Sequence, residues 1–128
     1  MGESSHRILL AEDDRFLRKA AETALKRQGF TVLAAVDGEE ALRIARTDAP
    51  HLILLDLIMP KLQGFEVLRA LKADAATAAI PVIILSNLGQ DSDVKQAMEA
   101  GAAGYCVKAN LSLQDLVKRV VEVLGGAG

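Results

Sequence analysis

The sequence predicts an α/β domain built on a five-stranded parallel sheet, and three observations carry that expectation. Short apolar runs alternate five times with helical patterns at roughly 20–25 residue spacing, the signature of consecutive βαβ units. Leu52 to Leu55 form an apolar run without alternation, as in a strand covered by helices on both faces. Polar and charged residues stand where the runs stop: Glu12 and Asp13 after the first, Asp56 after the third, Ser86 and Lys108 at the fourth and fifth.

Composition narrows the class. A chain of 128 residues is expected to form one domain with a real core, and at 51% apolar with only 3% aromatic that core is Leu, Val, Ile and Ala. A net charge of −2 gives no electrostatic footprint for nucleic acid. No apolar run approaches the roughly 20 residues of a membrane span, and the polar start MGESSHR has no signal-peptide core. Met1, Gly2 and Ser5 match a myristoylation pattern too loosely to carry weight. The single cysteine, Cys106, excludes an internal disulfide framework and reads as a small buried hydrophobe. A cytoplasmic domain without direct nucleic-acid or membrane contact is expected.

The elements follow in order. Arg7 to Ala11 is the first strand. Phe16, Leu17, Ala20, Ala21, Ala24 and Leu25 then mark the inward face of a helix, with Asp14 as its N-cap and Gly29 as its stop. Thr31 to Ala35 is the second strand, and Asp37-Gly38 turns into a helix that Pro50 ends. Asp56 follows the third strand. A loop with Pro60 and Gly64 leads to a helix with Phe65, Leu68 and Leu71 inward. Pro81 is tolerated at the start of the fourth strand, which ends at Ser86. A helix with Val94, Ala97 and Met98 inward stops at Gly101, and Gly104 to Lys108 is the fifth strand. Leu113, Leu116, Val117, Val120, Val121 and Leu124 give the clearest helical stripe, before a Gly-rich tail.

Parallel, adjacent strands would bring the strand-end residues to one edge of the sheet, where open α/β folds bind ligands. Three carboxylates within about 5 Å repel by roughly 3 kcal/mol per pair at an effective dielectric near 20, so the cluster calls for a cation. Hard oxygen donors with room for water suit Mg²⁺ better than Zn²⁺. The Lys108 ammonium and Ser86 hydroxyl complete an arrangement suited to a phosphoryl group in transfer.

The acidic pair in ILLAEDD, the aspartate in LLDLIMP, the serine in IILSN and the lysine in GYCVK together resemble the receiver domain of two-component response regulators, from about Arg7 to Leu124. The resemblance implies a single flavodoxin-like receiver domain over residues 1–128, with a doubly wound sheet of order 2-1-3-4-5 and five helices. It implies that Asp56 accepts a phosphoryl group from a phosphohistidine on a sensor kinase or histidine phosphotransfer protein. Glu12, Asp13 and Asp56, with the backbone carbonyl of Ile58, would hold Mg²⁺. Ser86 would hydrogen-bond the acyl phosphate and Lys108 would pair with it. Tyr105, three residues before Lys108, matches the aromatic that moves with Ser86 when the domain switches. Helix 92–100, the fifth strand and the last helix would form the output face, open to a partner or to phosphorylation-dependent homodimerisation. The expected chemistry is confined to the domain's own phosphorylation and dephosphorylation, within a stand-alone receiver or a longer regulator.

The chain departs from the family's common form in three respects. Ala109 follows Lys108 where proline in a cis bond is usual. A cis bond before a non-proline costs about 2.5–4 kcal/mol, so a trans peptide or reshaped loop is expected. Asn87 stands where a small residue is common and narrows access for small phosphodonors. Ile58 and Leu88, two residues past Asp56 and Ser86, are apolar and cannot orient an attacking water, which predicts slow hydrolysis of the phosphoryl group.

Other readings are weaker. Acids after the first strand also favour a helix N-terminus through its dipole, but the joint set at four strand ends goes beyond that. A receiver-like interaction module independent of phosphorylation is the alternative. A flavodoxin-like cofactor site would want a Gly/Ser/Thr-rich phosphate loop where this chain carries three acids.

Overall fold

The computed structural model describes residues 6–125; the myristoylation-like start and the last three residues of the tail lie outside them. Five strands form one parallel sheet: β1 (Arg7–Ala11), β2 (Thr31–Ala35), β3 (Leu52–Leu55), β4 (Val82–Ser86) and β5 (Gly104–Val107). Their order is β2-β1-β3-β4-β5 and every pairing is parallel. The helices α1 (Arg15–Arg27), α2 (Gly38–Asp48), α3 (Gly64–Ala73), α4 (Asp91–Glu99) and α5 (Leu113–Gly125) connect or follow them.

Strand pleating sends alternate side chains to opposite faces, so the sheet builds two cores. Leu9, Ile53, Leu55, Val82 and Ile84 pack under α2, α3 and α4, while Ile8, Leu10, Leu52, Leu54 and Ile83 pack under α1 and α5. All four residues of β3 are fully buried, as a central strand covered on both faces requires.

Two helical faces differ from the sequence expectation. Phe16 is 85% exposed and Met98 is 45% exposed, although both fall on apolar stripes read as inward. The sheet covers only the part of each stripe centred on Ala21 and Leu25 in α1 and on Ala97 in α4. Leu113 and Val121 on α5 are likewise exposed at the margin of a stripe whose centre, Leu116 and Val120, is buried. Strand β5 ends one residue earlier than expected, and Lys108 opens a 3₁₀ turn, Lys108–Asn110. Among the described residues no helix is long and apolar enough to cross a membrane.

Candidate functional site

The carboxyl ends of β1, β3, β4 and β5 converge on one edge. Glu12 continues β1, its amide donating to the Ala35 carbonyl at 3.0 Å, and its buried carboxylate accepts the Asp14 amide at 3.0 Å. Asp14 itself caps α1, accepting from the amides of Phe16 and Leu17, as its sequence position predicts. Arg18, one turn into α1, donates to the Glu12 carbonyl at 3.0 Å and the Asp13 carbonyl at 3.3 Å. Nothing in the sequence separates Arg18 from the other basic residues of α1, because its partners are backbone atoms.

Asp56 leaves β3 with its amide donating to the Ala11 carbonyl at 3.0 Å. Its Oδ1 accepts the Ile58 amide at 3.1 Å and its Oδ2 accepts from Lys108 Nζ at 2.9 Å. The same Nζ stands 2.7 Å from Glu12 Oε1. That oxygen has an ion pair but no well-aligned hydrogen bond, and it is buried. No peptide among the described residues is cis, so Lys108-Ala109 is trans as expected, and the 3₁₀ turn still delivers the amine to both acids.

Oxygens of Glu12, Asp13 and Asp56 all lie within 4.8 Å of one another. Glu12 is fully buried, Asp56 nearly so, and Asp13 is exposed. Burial pushes the Glu12 carboxyl up from its ordinary range, against the pull of Lys108 and the Asp14 amide. Burial alone would lower the Lys108 ammonium, but its ion pairs with Glu12 and Asp56 outweigh that and raise it. One ammonium therefore faces three carboxylates. The cluster opens on a cleft of about 360 Å³ lined by Glu12, Asp13, Asp14, Asp56, Ile58, Asn87 and Lys108. An all-oxygen, net-negative donor set with an oxygen lacking a directed bond and an open side fits a small hard cation such as Mg²⁺.

Ser86 and Tyr105 meet at Leu88. Ser86 Oγ, buried at the end of β4, accepts the Leu88 amide at 3.2 Å, and the Tyr105 hydroxyl donates to the Leu88 carbonyl. Burial, with Asp93 adding, holds the Tyr105 phenol above its ordinary range and thus protonated as a donor. The register pairs Leu55 with Ile84, so Ser86 reaches one residue further along the shared edge than Asp56. Glu12, Asp13, Asp56, Ile58, Ser86 and Lys108 thus stand at this edge or in the loops above it, while Tyr105 lies within β5 and reaches the loop through its hydroxyl.

The family model for the response regulator receiver domain matches residues 8–121. The chain is 40% identical over 114 residues to the gliding motility regulatory protein of Myxococcus xanthus, covering 89% of this chain and 15% of that protein. It is 42% identical over 101 residues to the transcriptional regulatory protein AfsQ1 of Streptomyces coelicolor, covering 79% and 44%. It thus spans less than half the length of these two curated relatives. In structure it is similar to the receiver domain of Francisella response regulator 1452, with TM-score 0.89, 28% identity, and 97% and 100% of the two chains covered. Chemotaxis protein CheY4 of Vibrio cholerae gives TM-score 0.88 at 26% identity, over 94% and 100%. With a matched span that runs from β1 into α5 and holds every residue of the acidic edge, this chain belongs to the response regulator receiver domain family.

Proposed function

We propose that Asp56 is a phosphoacceptor that takes a phosphoryl group from a phosphohistidine on a sensor histidine kinase or histidine phosphotransfer protein. The observation that carries this reading is the shared ammonium: Lys108 Nζ within 2.9 Å of Asp56 and 2.7 Å of Glu12, at the mouth of an acidic cleft. A carboxylate oxygen of Asp56 forms the new P–O bond as the P–N bond to the donor imidazole breaks, and that electron pair stays with the imidazole nitrogen. Lys108 keeps a fixed positive charge beside the reacting carboxylate, where a preorganised charge is worth more than in water. Glu12, Asp13 and Asp56, with the Ile58 carbonyl, would hold Mg²⁺. Bound there, the ion would offset the clustered negative charge and that of the phosphoryl oxygens.

The acyl phosphate adds nearly two negative charges and new acceptor oxygens to the edge. Ser86 turns its hydroxyl toward them and so releases the Leu88 amide; Tyr105, bonded to the same residue, moves with the loop. The surface of α4, β5 and α5 is then read by an output partner or domain, or by a second receiver. The domain acts only on itself, in the cytoplasm with its kinase, and makes no direct contact with nucleic acid or membrane.

Incubation with a small-molecule phosphodonor and Mg²⁺ is expected to add the mass of one phosphoryl group, and Asp56→Asn to abolish it. A wild-type chain that never gains this mass, or a variant that gains it equally, refutes the proposal. Tyr105 resonances that stay the same with and without beryllofluoride would refute the switch alone.

A further inference from the structure

The loop that carries Asp56 and Ile58 is gripped by a corner of the fold that touches neither. Lys61 has φ +70°, a left-handed conformation for a side chain with a full stem, and the Leu62 amide donates back to the Pro60 carbonyl at 2.8 Å. This three-residue turn is strained, and such turns persist only where their surroundings over-determine them. The surroundings here are the start of α2. The buried Gly38 amide donates to the same Pro60 carbonyl at 3.3 Å, and Lys61 Nζ stands 3.6 Å from Asp37, the cap of α2. A Cβ at Gly38 would lie 2.1 Å from the Leu62 carbonyl oxygen and 2.7 Å from Leu62 Cβ, so only glycine permits this approach. On the other side Gly64 closes the loop, its amide donating to the Leu57 carbonyl at 2.9 Å, with no room for a Cβ against the Asp56 carbonyl at 2.4 Å.

We propose that the Asp37-Gly38 corner is a positioning element for the phosphoacceptor loop: by clamping the strained Pro60–Leu62 turn it fixes where the Ile58 carbonyl and the Asp56 side chain stand. Gly38 is a positioning residue, since it contacts none of the reacting groups. The inference rests on the proposed binding of Mg²⁺ by Asp56 and Ile58, and it adds a reciprocal requirement. If the corner sets the loop for the cation, the cation must in turn stabilise the corner.

Two measurements on the full chain test it. In the wild type, amide exchange at Gly38 is expected to slow severalfold on saturation with Mg²⁺, followed by NMR. In Gly38→Ala the dissociation constant for Mg²⁺ is expected to rise roughly tenfold, as for other groups that orient metal ligands, with the far-ultraviolet circular dichroism retained. The core variant Ile44→Val in the same helix should lower the melting temperature and leave that constant unchanged, which separates positioning from general destabilisation. Unchanged Gly38 exchange while the Ile58 amide shifts with Mg²⁺ would overturn the inference, even if Gly38→Ala fails to fold. So would a folded Gly38→Ala variant that binds Mg²⁺ like the wild type. A wild type that binds no Mg²⁺ would instead refute the cation site itself.

Discussion

The two edges of the sheet both gather polar side chains at strand ends, yet they solve the electrostatic problem in opposite ways. At the amino-terminal edge the Arg7 guanidinium donates to the carbonyls of Asp48 and Ala49 at 3.1 and 2.7 Å, and the Arg7 amide donates to His51 Nδ1 at 2.9 Å. The His6 and His51 rings stack edge to face, 4.9 Å apart. His51 is exposed and His6 and Arg7 are half-buried, and the charged one is satisfied by neutral carbonyls. The carboxyl-terminal edge instead buries Glu12 and Asp56 beside Asp13, and it supplies one lysine for all three. Like charges held together without full compensation cost stability, so an edge of this kind is built for what it binds, whereas the other edge only has to hold β1 to the α2–β3 connection.

Three changes break or sharpen that contrast. Glu12→Gln removes one of the crowded charges. Metal-free protein should then melt a few degrees higher, while Mg²⁺ binding weakens by about tenfold or more; calorimetry with and without Mg²⁺ reads both. A lower melting temperature with unchanged Mg²⁺ affinity would show that Glu12 is structural, like Arg7. Ile58→Asn has a smaller effect. The side chain is 56% exposed at the cleft, and an amide there can orient water where isoleucine cannot. Phosphoryl loss after a Mg²⁺ chase should speed up severalfold, without change in the melting temperature. Equal decay in the two proteins would dissociate the apolar rim from lifetime.

The smallest effect belongs to the amino-terminal edge. Partial desolvation, with the charges of Arg7 and His6, holds the His51 imidazole below its ordinary value of 6.5, and the bond from the Arg7 amide requires a neutral Nδ1. The unfolded chain therefore binds this proton first. The contribution to stability is complete above about pH 6.5 and is lost as pH falls through the lower folded-state value. Urea unfolding should show this slope in the wild type and a flatter one in His51→Gln, a modest change because the ring is exposed.

Much of this was legible in the sequence because it depends on spacing along the chain. The limits of β1, β2 and β3, the end of β4, the cap at Asp14 and the strand-end positions of Glu12, Asp56 and Ser86 all follow from local pattern. Phe16 and Met98 were misplaced because the stripes, at i, i+1, i+4 and i+5 in α1 and at i, i+3 and i+4 in α4, span a wider arc than the sheet covers, and which margin stays uncovered is decided by the sheet. The grip of Gly38 on Leu62 was not legible either, since Asp-Gly before a helix reads as a turn whatever it touches. The same holds for the Leu88 link. The serine and the tyrosine were each marked, but their shared partner is an ordinary leucine.

Leu88 is tied at its amide to one of these residues and at its carbonyl to the other. Releasing it gives up hydrogen bonds with a net worth of about 1 kcal/mol each. The two together amount to about 2 kcal/mol, a gap that leaves on the order of one resting molecule in thirty with the loop let go before any donor arrives. On the proposed switch the released loop is the signalling state, so a kinase would raise an existing signal rather than start one from silence.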